Sequence, residues 1–133
     1  MELLSDTESL AALCARLSKE PYITIDTEFL RETTFWPQLC LVQVAGADEF
    51  ALIDPLADGI DLSPLFELLA KPDVVKVFHA GRQDIEIFYY LTDAIPQNVF
   101  DTQVAAMVCG YGDQVGYDQI VRQVVGAQID KTS

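Results

Sequence analysis

The stretch Ile23-Thr24-Ile25-Asp26-Thr27-Glu28-Phe29 constrains this chain more than any other. Its β-branched and apolar residues read as a strand, and that strand ends in two carboxylates spaced one residue apart. Side chains two positions apart on a strand share a face, so Asp26 and Glu28 converge. Converging carboxylates repel unless a cation or a shared proton lies between them. A metal site is one reading of the pair. A strand end running into a polar loop is the other, and the pair alone leaves both open.

A chain of 133 residues, half of them apolar, suits one domain that buries a core without disulfide or metal staples. No apolar run approaches the length of a membrane span. Met1-Glu2-Leu3-Leu4-Ser5-Asp6 lacks the basic start and apolar run of a signal peptide. Cys14, Cys40 and Cys109 are odd in number, widely spaced and set among apolar residues, so they read as reduced core cysteines of a cytoplasmic protein. The net charge of −13 argues against a free-standing clamp for phosphate chains. It does not argue against a metal-dependent enzyme, because bound divalent ions reverse the local sign.

Along the chain, Ser5-Asp6-Thr7-Glu8 fits a capping box with Ser5 as N-cap, and Leu10, Leu13, Cys14 and Leu17 give the following helix one apolar face. Pro21 ends it. A first strand runs from Tyr22 to about Asp26, a connection follows through Pro37, and strands are expected at Leu39–Ala45 and Phe50–Asp54 around a turn at 46–49. Such short connections make an antiparallel meander. Then the rhythm changes. Ser63-Pro64 opens a helix through about Ala70, Val74–Phe78 is a strand, roughly Gln83–Leu91 a helix, and Val99-Phe100 a short fifth strand. Asp101 caps a further helix through about Val108, and a last helix carries Ile120, Val121, Val124 and Val125. The order implies an α/β fold, a mixed five-stranded sheet of meander plus parallel crossover strands, flanked by helices.

Asp84 sits near the start of the helix that follows the fourth strand, where the helix dipole also favours an acid. Taken together, Asp26-Thr27-Glu28, Pro37-Gln38-Leu39-Cys40-Leu41-Val42-Gln43-Val44, Ala51-Leu52-Ile53-Asp54-Pro55-Leu56, His79-Ala80-Gly81-Arg82-Gln83-Asp84 and Phe100-Asp101-Thr102-Gln103 form a multi-point pattern. In this set and order the chain resembles the ribonuclease D branch of the DEDD 3′→5′ exonucleases, over nearly its whole length. The resemblance implies a ribonuclease H-like fold and a metal-dependent exoribonuclease that takes single-stranded RNA 3′ ends, tRNA precursors among them. By motif it assigns Asp26, Glu28 and Asp84 as catalytic metal ligands. It leaves Asp101 as a helix N-cap. Thr27, Phe29 and His79 are candidates for the substrate side, Phe29 because an aromatic ring directly after the acidic pair can stack on a terminal base; His79 reads equally as a hydrogen-bonded histidine at a strand end.

The chemistry suits those residue types. Two divalent ions about 3.5–4 Å apart can activate a water and stabilise the departing 3′ oxygen. Oxygen ligands suit Mg²⁺ or Mn²⁺. The resemblance implies that Asp26 bridges both ions, with Glu28 on the nucleophile side and Asp84 on the leaving-group side. Trp36 and Phe35 are further candidates for stacking on a base, and Lys76, Arg82 and Arg31 for touching phosphates.

The family's third motif, Tyr-X-X-X-Asp on a later helix, has no counterpart in place. Tyr89 and Asp93 have the spacing but lie upstream of Asp101, and Tyr117 has no aspartate at the right offset. Residues 1–133 are therefore expected to be a partial exonuclease domain, without that motif or the helical domains that follow it, and inactive or weak alone. The alternative is a non-catalytic module that keeps the fold and binds nucleic acid or protein.

Overall fold

The computed structural model of the chain describes residues 2–30 and 38–105. In order they form β1 (Glu2–Leu4), α1 (Thr7–Leu17), β2 (Tyr22–Leu30), β3 (Gln38–Ala45), β4 (Phe50–Ile53), α2 (Ser63–Leu69), β5 (Val75–Phe78), α3 (Arg82–Thr92) and β6 (Val99–Asp101). The strands make one mixed sheet in the order β1-β4-β3-β2-β5-β6. The meander β2-β3-β4 is antiparallel, whereas β5 joins β2, β6 joins β5 and β1 joins β4 in parallel.

The sheet has six strands where five were expected. The extra one, β1, is three residues long, too short to show a period, and it forms because its backbone pairs with β4. Helix α1 is capped by Asp6, not Ser5. Asp6 Oδ1 accepts the Ser9 N–H at 2.7 Å, placing the start of the helix one residue later. At α2, Ser63 is already helical. Its N–H and hydroxyl both donate to Asp61, so it caps nothing.

Alternation puts Ile23, Ile25, Val42, Val44, Ala51, Ile53 and Phe78 on one face of the sheet, packed in a single core with Leu10, Leu13 and Leu17 of α1, Leu65 and Leu68 of α2, and Ile85 and Phe88 of α3. Burying a side chain of this size contributes about 1.5–3 kcal/mol, so this layer holds β2 in place. Asp26 and Glu28 fall on the opposite, exposed face. The register of β2 against β3 shifts between Glu28 and Phe29, a bulge immediately after the acidic pair. Bulges bend a strand and re-aim its side chains, and beyond this one Phe29 stands opposite Leu39.

Candidate active site

β2 has neighbours on both sides, so the acidic pair lies well inside the sheet, away from its edges. Asp26 is opposite Gln43 in the register and Glu28 opposite Leu41. Thr27, between them, points the other way, into the core side, and is only 8% exposed. There it meets Asp84, in the first turn of α3 and 7% exposed.

One donor brings the carboxylates together. The Thr27 N–H is shared by Oδ1 of Asp26 at 3.0 Å and Oδ1 of Asp84 at 3.1 Å, and the Thr27 hydroxyl also donates to Asp84 Oδ1. Burial pushes the Asp84 carboxyl above the usual carboxylate range. The Thr27 hydroxyl opposes that shift, and the negative charge of Asp26 adds to it. Two carboxylates brought to one N–H, offering hard oxygen donors and no thiolate, fit a divalent cation in kind. Glu28 lies on the face of Asp26, exposed, two positions along the strand. Among the described residues no three acidic, imidazole or thiol side chains are gathered closely enough to hold one ion, so the expected three-carboxylate cluster is not assembled in this conformation.

The turn that delivers Asp84 is itself held by Asp101. Oδ1 of Asp101 accepts the N–H groups of Gln103 and Val104 at 2.8 and 3.3 Å, which is the N-cap expected of it. The same carboxylate takes the N–H groups of Ala80 and Gly81. His79 Nδ1 lies 2.7 Å from the Thr102 hydroxyl and is exposed. Together with Thr24, Asp26, Gln43, Phe50 and Val77, His79 and Thr102 line an open pocket of about 420 Å³ on the exposed face of the sheet.

Thr27 has its hydroxyl turned inward to Asp84, and Phe29 packs, half-buried, against the edge of the core. Lys76 is no phosphate contact. It is 0% exposed, and Nζ donates to the carbonyls of Gln97, at 2.9 Å, and Lys71. Arg82 is exposed and paired with Glu86 at 2.9 Å. Asp93 ends α3 in the left-handed region with φ +58°, its N–H bonded to the Tyr89 carbonyl, so the Tyr89–Asp93 spacing marks a helix end. Arg31, Phe35, Trp36, Cys109, Tyr117 and the last expected helix lie outside the described residues. Thr24, Gln43 and Thr102 were not singled out from sequence. Counting two back from Asp26 finds Thr24, but Gln43 depends on a register that no local pattern reveals.

The whole chain, residues 1–133, matches the family described as 3′-5′ exonuclease. It is 62% identical over 129 residues to Ribonuclease D of Granulibacter bethesdensis, covering 97% of this chain and 33% of that protein. Its fold is similar to that of Escherichia coli RNase D, described as an exoribonuclease involved in structured RNA processing, with TM-score 0.76 and 39% identity over 98% of this chain and 34% of that one. Brucella melitensis NrnC with bound Mg²⁺ is similar at TM-score 0.62 and 25% identity, covering 94% of this chain and 59% of that one. The chain thus spans about a third of the length of the curated relatives it matches. These likenesses agree with the ribonuclease H-like α/β architecture expected from the motifs.

Proposed function

Because the chain belongs to the 3′-5′ exonuclease family, we propose that it supplies the metal-binding strand and helix of a ribonuclease D-like exoribonuclease that hydrolyses RNA from the 3′ end. The observation that carries the reading is the convergence of Asp26 and Asp84 on the single N–H of Thr27, beside an open pocket on the sheet. Asp26, Glu28 and Asp84 would hold Mg²⁺ or Mn²⁺, two ions in a complete site. When bound, such ions activate a water and stabilise the oxygen that leaves.

The protein's own groups do the rest of the work. Asp26 sits in the strand interior and lines the pocket, so it fixes where a scissile phosphate is held relative to the sheet. Asp84 approaches from α3 and is buried, which keeps its carboxylate in one orientation. His79, hydrogen-bonded through Nδ1 to Thr102, presents its ring at the pocket wall, where it can bond to the terminal ribose or phosphate. Single-stranded 3′ ends, tRNA precursors among them, and a cytoplasmic location belong to the same proposal. Residues 1–133 alone are expected to release few or no nucleotides from an RNA 3′ end.

The second reading is a non-catalytic binding module, favoured by the fact that no three ligands are gathered among the described residues. Mn²⁺ titration by calorimetry separates the two. Saturable binding that Asp26→Ala abolishes supports the exonuclease reading; no binding at millimolar metal overturns it.

A further inference from the structure

We infer that Thr27 is a positioning residue of the metal site, orienting the Asp84 carboxylate through its side chain while its backbone ties that carboxylate to Asp26. The inference rests on the exonuclease reading of Asp26 and Asp84.

Thr27 is the middle residue of the acidic strand end, and the period of two points its side chain away from Asp26 and Glu28. It is therefore poorly placed to meet a substrate on the exposed face and well placed to meet α3. Its hydroxyl and its N–H both donate to the same oxygen, Oδ1 of Asp84. Both Thr27 hydrogen bonds fall on Oδ1, so neither occupies Oδ2. A β-branched side chain in a strand has little freedom about χ1, so the hydroxyl is aimed before any metal arrives. The N–H that reaches Asp84 also reaches Asp26 Oδ1, so the separation of the two carboxylates is set by one peptide group of β2. Partners that orient a ligating carboxylate in this way typically account for a 10–100-fold difference in metal affinity.

The test is Mn²⁺ affinity by calorimetry for the unaltered chain, Thr27→Val and Thr27→Ser, at a temperature where urea curves show all three folded. Valine keeps the shape and strand preference of threonine and loses only the hydroxyl. The expected result is a weakening of about tenfold for Thr27→Val and recovery to within about threefold of the unaltered chain for Thr27→Ser. Binding by Thr27→Val as tight as that of the unaltered chain overturns the inference alone. So does a loss that Thr27→Ser fails to recover, because the hydroxyl is then not its cause. No saturable binding by the unaltered chain overturns the exonuclease reading and this inference with it.

Discussion

Asp101 and Gly81 are joined by a 2.7 Å hydrogen bond from the glycine N–H to Oδ2, while Oδ1 of the same carboxylate accepts the Ala80, Gln103 and Val104 N–H groups. One acid, 4% exposed, thereby ties the turn that starts α3 to the end of β6. Two segments 20 residues apart in the sequence become one support beneath Asp84. Replacing Asp101 by alanine removes the cap and leaves the two turn N–H groups without their acceptor. The expected loss in urea denaturation is on the order of 2–4 kcal/mol, since a cap is worth about 1 and the buried Gly81 donor about 1–3, while the Ala80 N–H lies nearer to solvent. Asp101→Asn, which keeps one acceptor oxygen, should lose less. A loss under about 1 kcal/mol for the alanine variant would show that the turn stands without it.

The turn itself gives two opposite expectations at adjacent positions. Ala80 has φ +52°, the left-handed region that costs a residue with a Cβ roughly 1–2 kcal/mol. Ala80→Gly relieves that strain but gives the unfolded chain more freedom, so it should be neutral or stabilising by up to about 1 kcal/mol. Gly81 has φ −80° and needs no special backbone. What it needs is space. A Cβ there would lie 2.4 Å from Phe78 Cβ and 2.7 Å from Phe78 Cγ, and Phe78 is 1% exposed and cannot step aside. Gly81→Ala should cost about 1–3 kcal/mol, as overpacking does. Thermal melts of the two variants should move in opposite directions or, for Ala80→Gly, not at all.

Glu28 and Asp26 share a face but not a setting. Asp26 lines the pocket and shares a donor with Asp84, whereas Glu28, exposed like Asp26, lies two positions further along, roughly 6–7 Å at the rise of a strand. Glu28→Gln should therefore weaken Mn²⁺ by several-fold, where Asp26→Ala abolishes binding. Equal losses in the two calorimetric titrations would place Glu28 as centrally as Asp26.

What the sequence revealed and what it hid follow from the range of the interactions involved. Leu10, Leu13, Cys14 and Leu17 announce the buried face of α1 through their spacing, and all four are buried. The meander and crossover order is legible because short connections and alternating helices allow few topologies. The grouping of Asp26 with Asp84 was legible only through the resemblance, and the contact that joins them was not. That contact, from Thr27 to Asp84, spans 57 residues and runs through a threonine that no charge pattern would select. The burial of Lys76 was hidden for a similar reason. Lysine is expected at the surface, but Lys76 falls on the face of β5 that the period of two turns inward with Phe78, and two loop carbonyls take its ammonium. β1 was missed because three residues carry no period.

Lys76 also gives the fold a pH signature. Burial brings its pKa down from the ordinary 10.5 to about 8; the Asp73 charge opposes the shift and the Lys71 charge adds to it. Between about pH 8 and 10.5 the unfolded chain holds a proton that the folded chain has shed, so the Lys76 contribution to stability rises with pH across that window. Below pH 8 both states are protonated and its burial penalty is at its largest and constant. Lys76→Met lacks the window, although it leaves the Lys71 and Gln97 carbonyls without the ammonium at every pH. Other titrating groups are common to both proteins and cancel in the difference. From pH 7.5 to 9.5 the unaltered chain should gain on Lys76→Met by on the order of 1 kcal/mol, less than the full shift implies because the ammonium lies just beneath two loops where water screens it. Urea midpoints at four or five pH values measure this directly. Stability curves that stay parallel through pH 9.5 would mean that Lys76 titrates as an ordinary surface lysine.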